Sequence, residues 1–183
     1  MVKAVAKEPR GVALILQAAA FAAHKHRDQR RKDHAASPYI NHPITLAEIL
    51  SGIGGVRRAD VLAAALLHDT LEDTETTRDE LKAAFGPKIM QIVEEVTDDK
   101  RLPKQQRKEL QVAHAAHISK SAKLVKLADK IANLSDIIAS PPPDWSLERK
   151  REYFDWAKRV IDRVRGTNAK LERRFDSLYR QRP

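Results

Sequence analysis

Cysteine is absent from all 183 residues. That excludes a disulfide framework, a thiolate nucleophile and a Cys-ligated zinc, so any metal ion would have to be held by imidazole and carboxylate. Aromatic residues are scarce at 5%, and sustained alternation of β-branched and polar residues, the signature of strands, is lacking. There is no long apolar run either. The longest, 12–23, is half alanine and is interrupted by Gln17, which falls short of the ~20 apolar residues needed to cross a bilayer. Lys3, Lys7 and Arg10 precede it as the basic residues of a secretory signal would. The same stretch reads as a helix of the fold, and the expected location is cytoplasmic, with no membrane partner.

At 42% hydrophobic residues the chain can build a core, and its length predicts one domain over 1–183. Ala, Leu, Lys, Glu and Arg dominate its periodic segments, which predicts an all-α protein, a bundle of about nine or ten helices. The helices expected are 11–29, 43–51, 59–67, 77–85, 87–96, 104–118, 121–139, 146–165 and 168–181. Thr77 and Glu80 form a T-x-x-E capping box. Gly86-Pro87 supplies a glycine stop and a proline start, and Pro141-Pro142-Pro143 forces a connector. Lys and Arg number 34 against 25 acids, a net charge of +9. Much of that excess lies in 149–183, where twelve basic residues face five acids. Such patches attract polyanions, whether nucleic acid, anionic lipid or a phosphorylated small molecule.

The chemistry concentrates at His68-Asp69-Thr70-Leu71-Glu72-Asp73, which closes the apolar segment Ala63-Ala64-Ala65-Leu66-Leu67. At helical spacing Glu72 and Asp73 follow the His68-Asp69 pair by one turn. Four ionisable groups in one locality at the end of a core helix call for a compensating cation, because like charges packed with partial desolvation are costly. An isolated His-Asp dipeptide is more often an exposed helix end. Two further segments change that balance. Pro38-Tyr39-Ile40-Asn41-His42-Pro43 places a His before a helix-starting proline, and 123–134 carries an apolar face of Leu124, Leu127, Ile131 and Leu134. Asp129, Asn133 and Asp136 form a polar stripe on another face. Singly, His42 is explained as a capping or core histidine and Asp129 as half of a surface pair with Lys126.

Together these residues spell H…HD…D, the HD-domain pattern. With Gln29-Arg30-Arg31-Lys32, Val96-Thr97-Asp98-Asp99 and Lys126-Leu127-Ala128-Asp129-Lys130-Ile131-Ala132-Asn133-Leu134, the chain closely resembles the small alarmone hydrolases over about 14–178. These are stand-alone counterparts, including metazoan SpoT homologs, of the hydrolase half of RelA/SpoT proteins. The resemblance implies an all-helical HD fold that hydrolyses the 3′-pyrophosphate of (p)ppGpp, with one Mn²⁺ held by His42, His68, Asp69 and Asp129. Glu72 and Asp73 would manage the attacking water and its protons. Arg31 would stack on the purine, Lys32 and Lys104 would face phosphate, and Asn133 would lie near the ribose. Arg149 and Tyr153 would close over the substrate. The chain departs little from the pattern: Leu71 stands for a more usual Val, and Ser135 and Ile137 vary beside Asp136. It is too short to hold a synthetase or regulatory domain as well, so it should degrade the alarmone without making it.

Three other readings compete. An HD phosphatase could act instead on (p)ppApp or on the 2′-phosphate of NADPH, since stacking by Arg31 tolerates either purine. A nucleic-acid binder could use the 149–182 stripe, but Glu152, Asp155, Asp162, Glu172 and Asp176 interleave it and no DNA-binding motif is present. A structural metal site without turnover would gain nothing from Glu72 and Asp73. A small nucleotide is the partner expected, not nucleic acid.

Overall fold

In the computed structural model, which describes residues 11–183, the alanine-rich segment around 63–65 sets the architecture. Helix α3 (Ala59–Leu67) is buried from Val61 to Leu67. A helix apolar on every side must be surrounded, and α1 (Val12–Lys25), α2 (Asn41–Glu48), α5 (Arg78–Val96) and α7 (Lys120–Ala139) pack around it. Its alanines leave room for those neighbours to approach closely. Between α3 and α5 a four-residue turn of helix, α4 (Thr70–Asp73), follows the break at His68-Asp69. Helices α6 (Lys104–His114), α8 (Leu147–Asp162) and α9 (Ala169–Tyr179) complete the chain, with α8 and α9 closing over α7. The core includes Leu46, Leu67, Leu81, Leu127, Ile131, Phe154 and Phe175.

The fold class is the expected one: helical throughout, with no strand among the described residues and one isolated bridge between Arg30 and Pro38. No helix among them is long and apolar enough to cross a membrane. The basic residues Lys3, Lys7 and Arg10 lie outside the described residues. Several boundaries differ from the expectation, each for a physical reason. The first helix ends at Lys25, and 26–39 is a compact excursion in which Arg31 N–H donates to Ser37 O and Tyr39 N–H to Gln29 O. The second begins at Asn41, so His42 is helical, and it runs into a π-helical turn, Ile49–Ile53.

Segments 77–85 and 87–96 are continuous apart from Gly86, whose φ of 79° and ψ of 166° no L side chain adopts comfortably. The capping box is half made. Thr77 accepts from Glu80 N–H at 3.2 Å, but the Glu80 carboxylate reaches across to Lys25 at 2.7 Å.

Several of the C-terminal basic residues are paired. Arg165 binds Asp176 at 2.6 Å, Arg182 binds Asp155 at 2.7 Å and Arg159 binds Glu109 at 2.6 Å. The stripe is therefore laced with acids of its own and of α6.

Candidate active site

Because α3 is surrounded, its C-terminus opens inside the molecule. The carbonyls it leaves unpaired need donors. His68 Nδ1 lies 2.9 Å from Ala65 O, and Thr70 Oγ1 donates to Leu67 O at 2.7 Å. A carbonyl only accepts, so His68 Nδ1 carries the proton. In the neutral ring Nε2 is then a bare electron pair. It is buried, has no hydrogen-bond partner, and faces Asp69 Oδ2 at 2.9 Å. Two electron-pair donors at that distance require a second proton or a metal ion between them.

The other donors arrive from α2 and α7. The His42 ring stands 5.3 Å from that of His68, and its Nε2 is 3.4 Å from Asp129 Oδ1. Ligand atoms of His42, His68 and Asp69 lie within 4.8 Å of one another, a geometry that can hold a metal ion. Two imidazoles and one carboxylate suit a divalent first-row ion, and Asp129 lies next to this group without being part of it. Supporting bonds orient the two carboxylates. Tyr39 OH donates to Asp69 Oδ2, Asn133 Nδ2 to Asp129 Oδ1 at 2.6 Å, and Lys130 Nζ lies 2.9 Å from Asp129 Oδ2. Lys130 is buried, and its amine sits 4.1 Å above the Trp156 ring.

Here the structure corrects one alternative. Lys126 is not a surface partner of Asp129: it is buried, and its amine donates to Val96 O at 3.0 Å. The cation paired with Asp129 is Lys130, at 2.9 Å.

The electrostatics follow from this crowding. Burial acts against the Asp69 and Asp129 charges, yet His68 beside the one and Lys130 with His42 beside the other hold both carboxyls below the usual range. Burial likewise opposes a charge on His68, but Asp69 outweighs it and the imidazole is raised. His42 is lowered, chiefly by burial. Glu72 moves the other way: burial raises it to about 7, although Asp98 N–H donates to its Oε2 at 3.0 Å.

All six carboxylate and imidazole candidates (His42, His68, Asp69, Glu72, Asp73 and Asp129) line one cavity of about 190 Å³, with Arg31 and Asn133 at its edge. It adjoins a larger cavity of about 520 Å³ that contains Arg31, Lys32, Asn133 and Tyr153. The Arg31 guanidinium is tethered there through one nitrogen. It donates to Asp136 at 2.6 Å and Asn133 at 3.3 Å, and lies 5.7 Å from the Tyr39 ring centre. A third cavity of about 480 Å³ is lined by Lys32, Lys104, Arg149 and Tyr153. The structure thus brings every candidate to one connected region. Sequence reasoning passed over Tyr39, Lys130, Gln29 and Asp98 as site residues, although all stand in quoted motifs.

The HD-domain pattern matches residues 18–155. The chain belongs to the HD-domain family. Among HD proteins it is 56% identical, over 91% of this chain and 93% of the relative, to the guanosine-3′,5′-bis(diphosphate) 3′-pyrophosphohydrolase MESH1 of Xenopus tropicalis. It is 55% identical to the protein of the same name from Homo sapiens, over 93% of this chain and 95% of the relative. A solved HD structure, described as a metazoan ortholog of SpoT that hydrolyzes ppGpp, superimposes with a TM-score of 0.91 at 48% identity. It covers 97% of this chain and 98% of its own. HD hydrolases work with a divalent metal, and the donor set around His42, His68 and Asp69 fits one.

Proposed function

We propose that the chain hydrolyses the 3′-pyrophosphate of ppGpp and pppGpp, releasing pyrophosphate and GDP or GTP. The observation that carries this reading is the convergence of His42, His68, Asp69, Asp129, Glu72 and Asp73 on one cavity that opens beside Arg31 and Lys32. The names of the relatives at 55–56% identity support the same substrate.

In this reading His42, His68, Asp69 and Asp129 hold a single Mn²⁺. A divalent ion there offsets charge on the phosphoryl oxygens and acidifies water. The chain's own groups do the rest. Asp73 accepts the proton of the attacking water as the new O–P bond forms. Glu72, whose carboxyl burial pushes up from the usual range, gives a proton to the 3′ oxygen as the old P–O bond breaks. The Arg31 plane stacks on the purine, a flat contact that lysine cannot make. Lys32, at the junction of the two larger cavities, and Lys104, at the head of α6, take phosphate oxygens. Asn133 lies near the ribose, and Arg149 with Tyr153 closes the far wall.

Incubating the Mn²⁺-loaded protein with ppGpp, pppGpp, ppApp and NADPH and resolving the products by ion exchange tests the assignment. Pyrophosphate with GDP or GTP is the expected outcome. Preferential turnover of ppApp, or orthophosphate released from NADPH alone, would replace it with the corresponding nucleotide.

A further inference from the structure

Asp73 is approached from behind by a short chain of side chains for which the nucleotide chemistry has no use. His26, at the end of α1, is 2% exposed. Its Nδ1 lies 2.6 Å from Gln29 Oε1, and Gln29 Nε2 lies 3.0 Å from Asp73 Oδ2. The donor roles are forced. A carboxylate accepts, so the Gln29 amide must turn its NH₂ to Asp73. Its oxygen then faces His26 and also accepts, so His26 Nδ1 carries the proton. The backbone holds this relay in place, with Gln29 N–H donating to His26 O at 2.9 Å and Tyr39 N–H to Gln29 O at 3.1 Å. The His26 ring packs on Tyr39 at 4.8 Å, and Tyr39 OH donates to Asp69. The other Asp73 oxygen meets Lys100, whose side chain is half exposed. A flexible ammonium neutralises a carboxylate but does little to orient it.

We propose that His26 and Gln29 are positioning residues: the directed Nδ1–H···Oε1 and Nε2–H···Oδ2 bonds fix the rotation of the Asp73 carboxylate, and so aim its free electron pair at the attacking water. This rests on the reading of Asp73 as the group that takes the water's proton. A relay of this kind is felt in the chemical step more than in nucleotide binding: Gln29 lines the Arg31 cavity, but its side-chain amide is committed to His26 and Asp73.

The test is a cycle of Gln29→Met, Asp73→Asn and the double variant, with kcat and KM on ppGpp and bound Mn²⁺ measured for each. Methionine keeps the length of Gln29 and removes both bonds. Loss of an orienting partner costs about 10–100-fold in activity, so Gln29→Met should lower kcat by that factor with KM and metal content unchanged. The double variant should be no slower than Asp73→Asn alone, since there is no longer a base to aim. Wild-type kcat in Gln29→Met beside a collapsed Asp73→Asn overturns the positioning role and leaves the base assignment intact. Undiminished kcat in Asp73→Asn overturns the base assignment itself. A further drop in the double variant equal to that in Gln29→Met assigns Gln29 a general structural role and also overturns the proposal. Should Gln29→Met not fold, His26→Phe keeps the ring against Tyr39, removes the proton that sets the amide, and carries the same comparison.

Discussion

Glu72 carries a cost that pH can expose. Burial raises its carboxyl from 4.5 to about 7, so the folded protein holds a proton that the unfolded chain begins to release near pH 4.5. Below that both states are protonated and the residue is neutral to stability. Between about 4.5 and about 7 the unfolded chain gives up the proton while the folded state keeps it, so the folded state is progressively disfavoured across that window, and the penalty is complete above it. Glu72→Gln removes the titration. In chelator, its melting temperature relative to wild type should therefore be higher at pH 8 than at pH 5, and equal differences at both pH values would contradict the burial argument. Asp73→Asn addresses the chemistry, since it keeps the shape and removes the base. Turnover should fall by about 10²–10⁴ with Mn²⁺ retained, and metal loss would assign Asp73 to the ligand set instead. Arg31→Lys keeps charge but gives up the flat guanidinium that Asp136 and Asn133 tether. It should weaken ppGpp binding by about 1–3 kcal/mol, the worth of a stacked base, read as a raised KM.

At the scale of elements, α3 is the part that makes the site possible: a helix buried on all sides has to end in the interior, and His68-Asp69 is where it ends. That much was legible, because an alanine-leucine run followed at once by four ionisable groups is a local statement about burial. The break at Gly86-Pro87 was legible for the same reason, whereas Asn168, expected as the first residue of its helix, instead caps α9 by accepting from Lys170 and Leu171 N–H. Gly86→Ala forces a side chain into a backbone region used by glycine and should cost about 1–3 kcal/mol of stability, checked by denaturant unfolding. What local pattern could not give was depth along α7. Its spacing separates an apolar face from the Asp129, Asn133 and Asp136 stripe. It does not say that Lys126 points inward to Val96 O while Lys130, four residues on, reaches Asp129. The Glu80 to Lys25 bridge was hidden likewise, since a capping box is read within one helix and this bond joins two.

Over the whole molecule, the proposed donors come from separate parts of the chain: His42 from α2, His68 and Asp69 from the break after α3, and Asp129 from α7. An ion held by all of them ties these elements together, and an ion that binds only the folded state stabilises it by about 2.7 kcal/mol at a hundredfold excess over its Kd. The resemblance stated from sequence reached this constellation because the H…HD…D letters are far apart in sequence yet fixed in identity. The relay behind Asp73 escaped it because hydrogen-bond direction exists only once the chain has folded. The central claim, that one ion held by these four residues is the seat of pyrophosphate hydrolysis, is tested most directly on Asp69→Ala. Wild type and variant, stripped with chelator and given Mn²⁺ again, are assayed for bound metal and for pyrophosphate released from ppGpp on the same samples. One ion per chain and turnover in the wild type, with both lost in the variant, is the predicted result; a variant that keeps its ion and near wild-type turnover would contradict the claim.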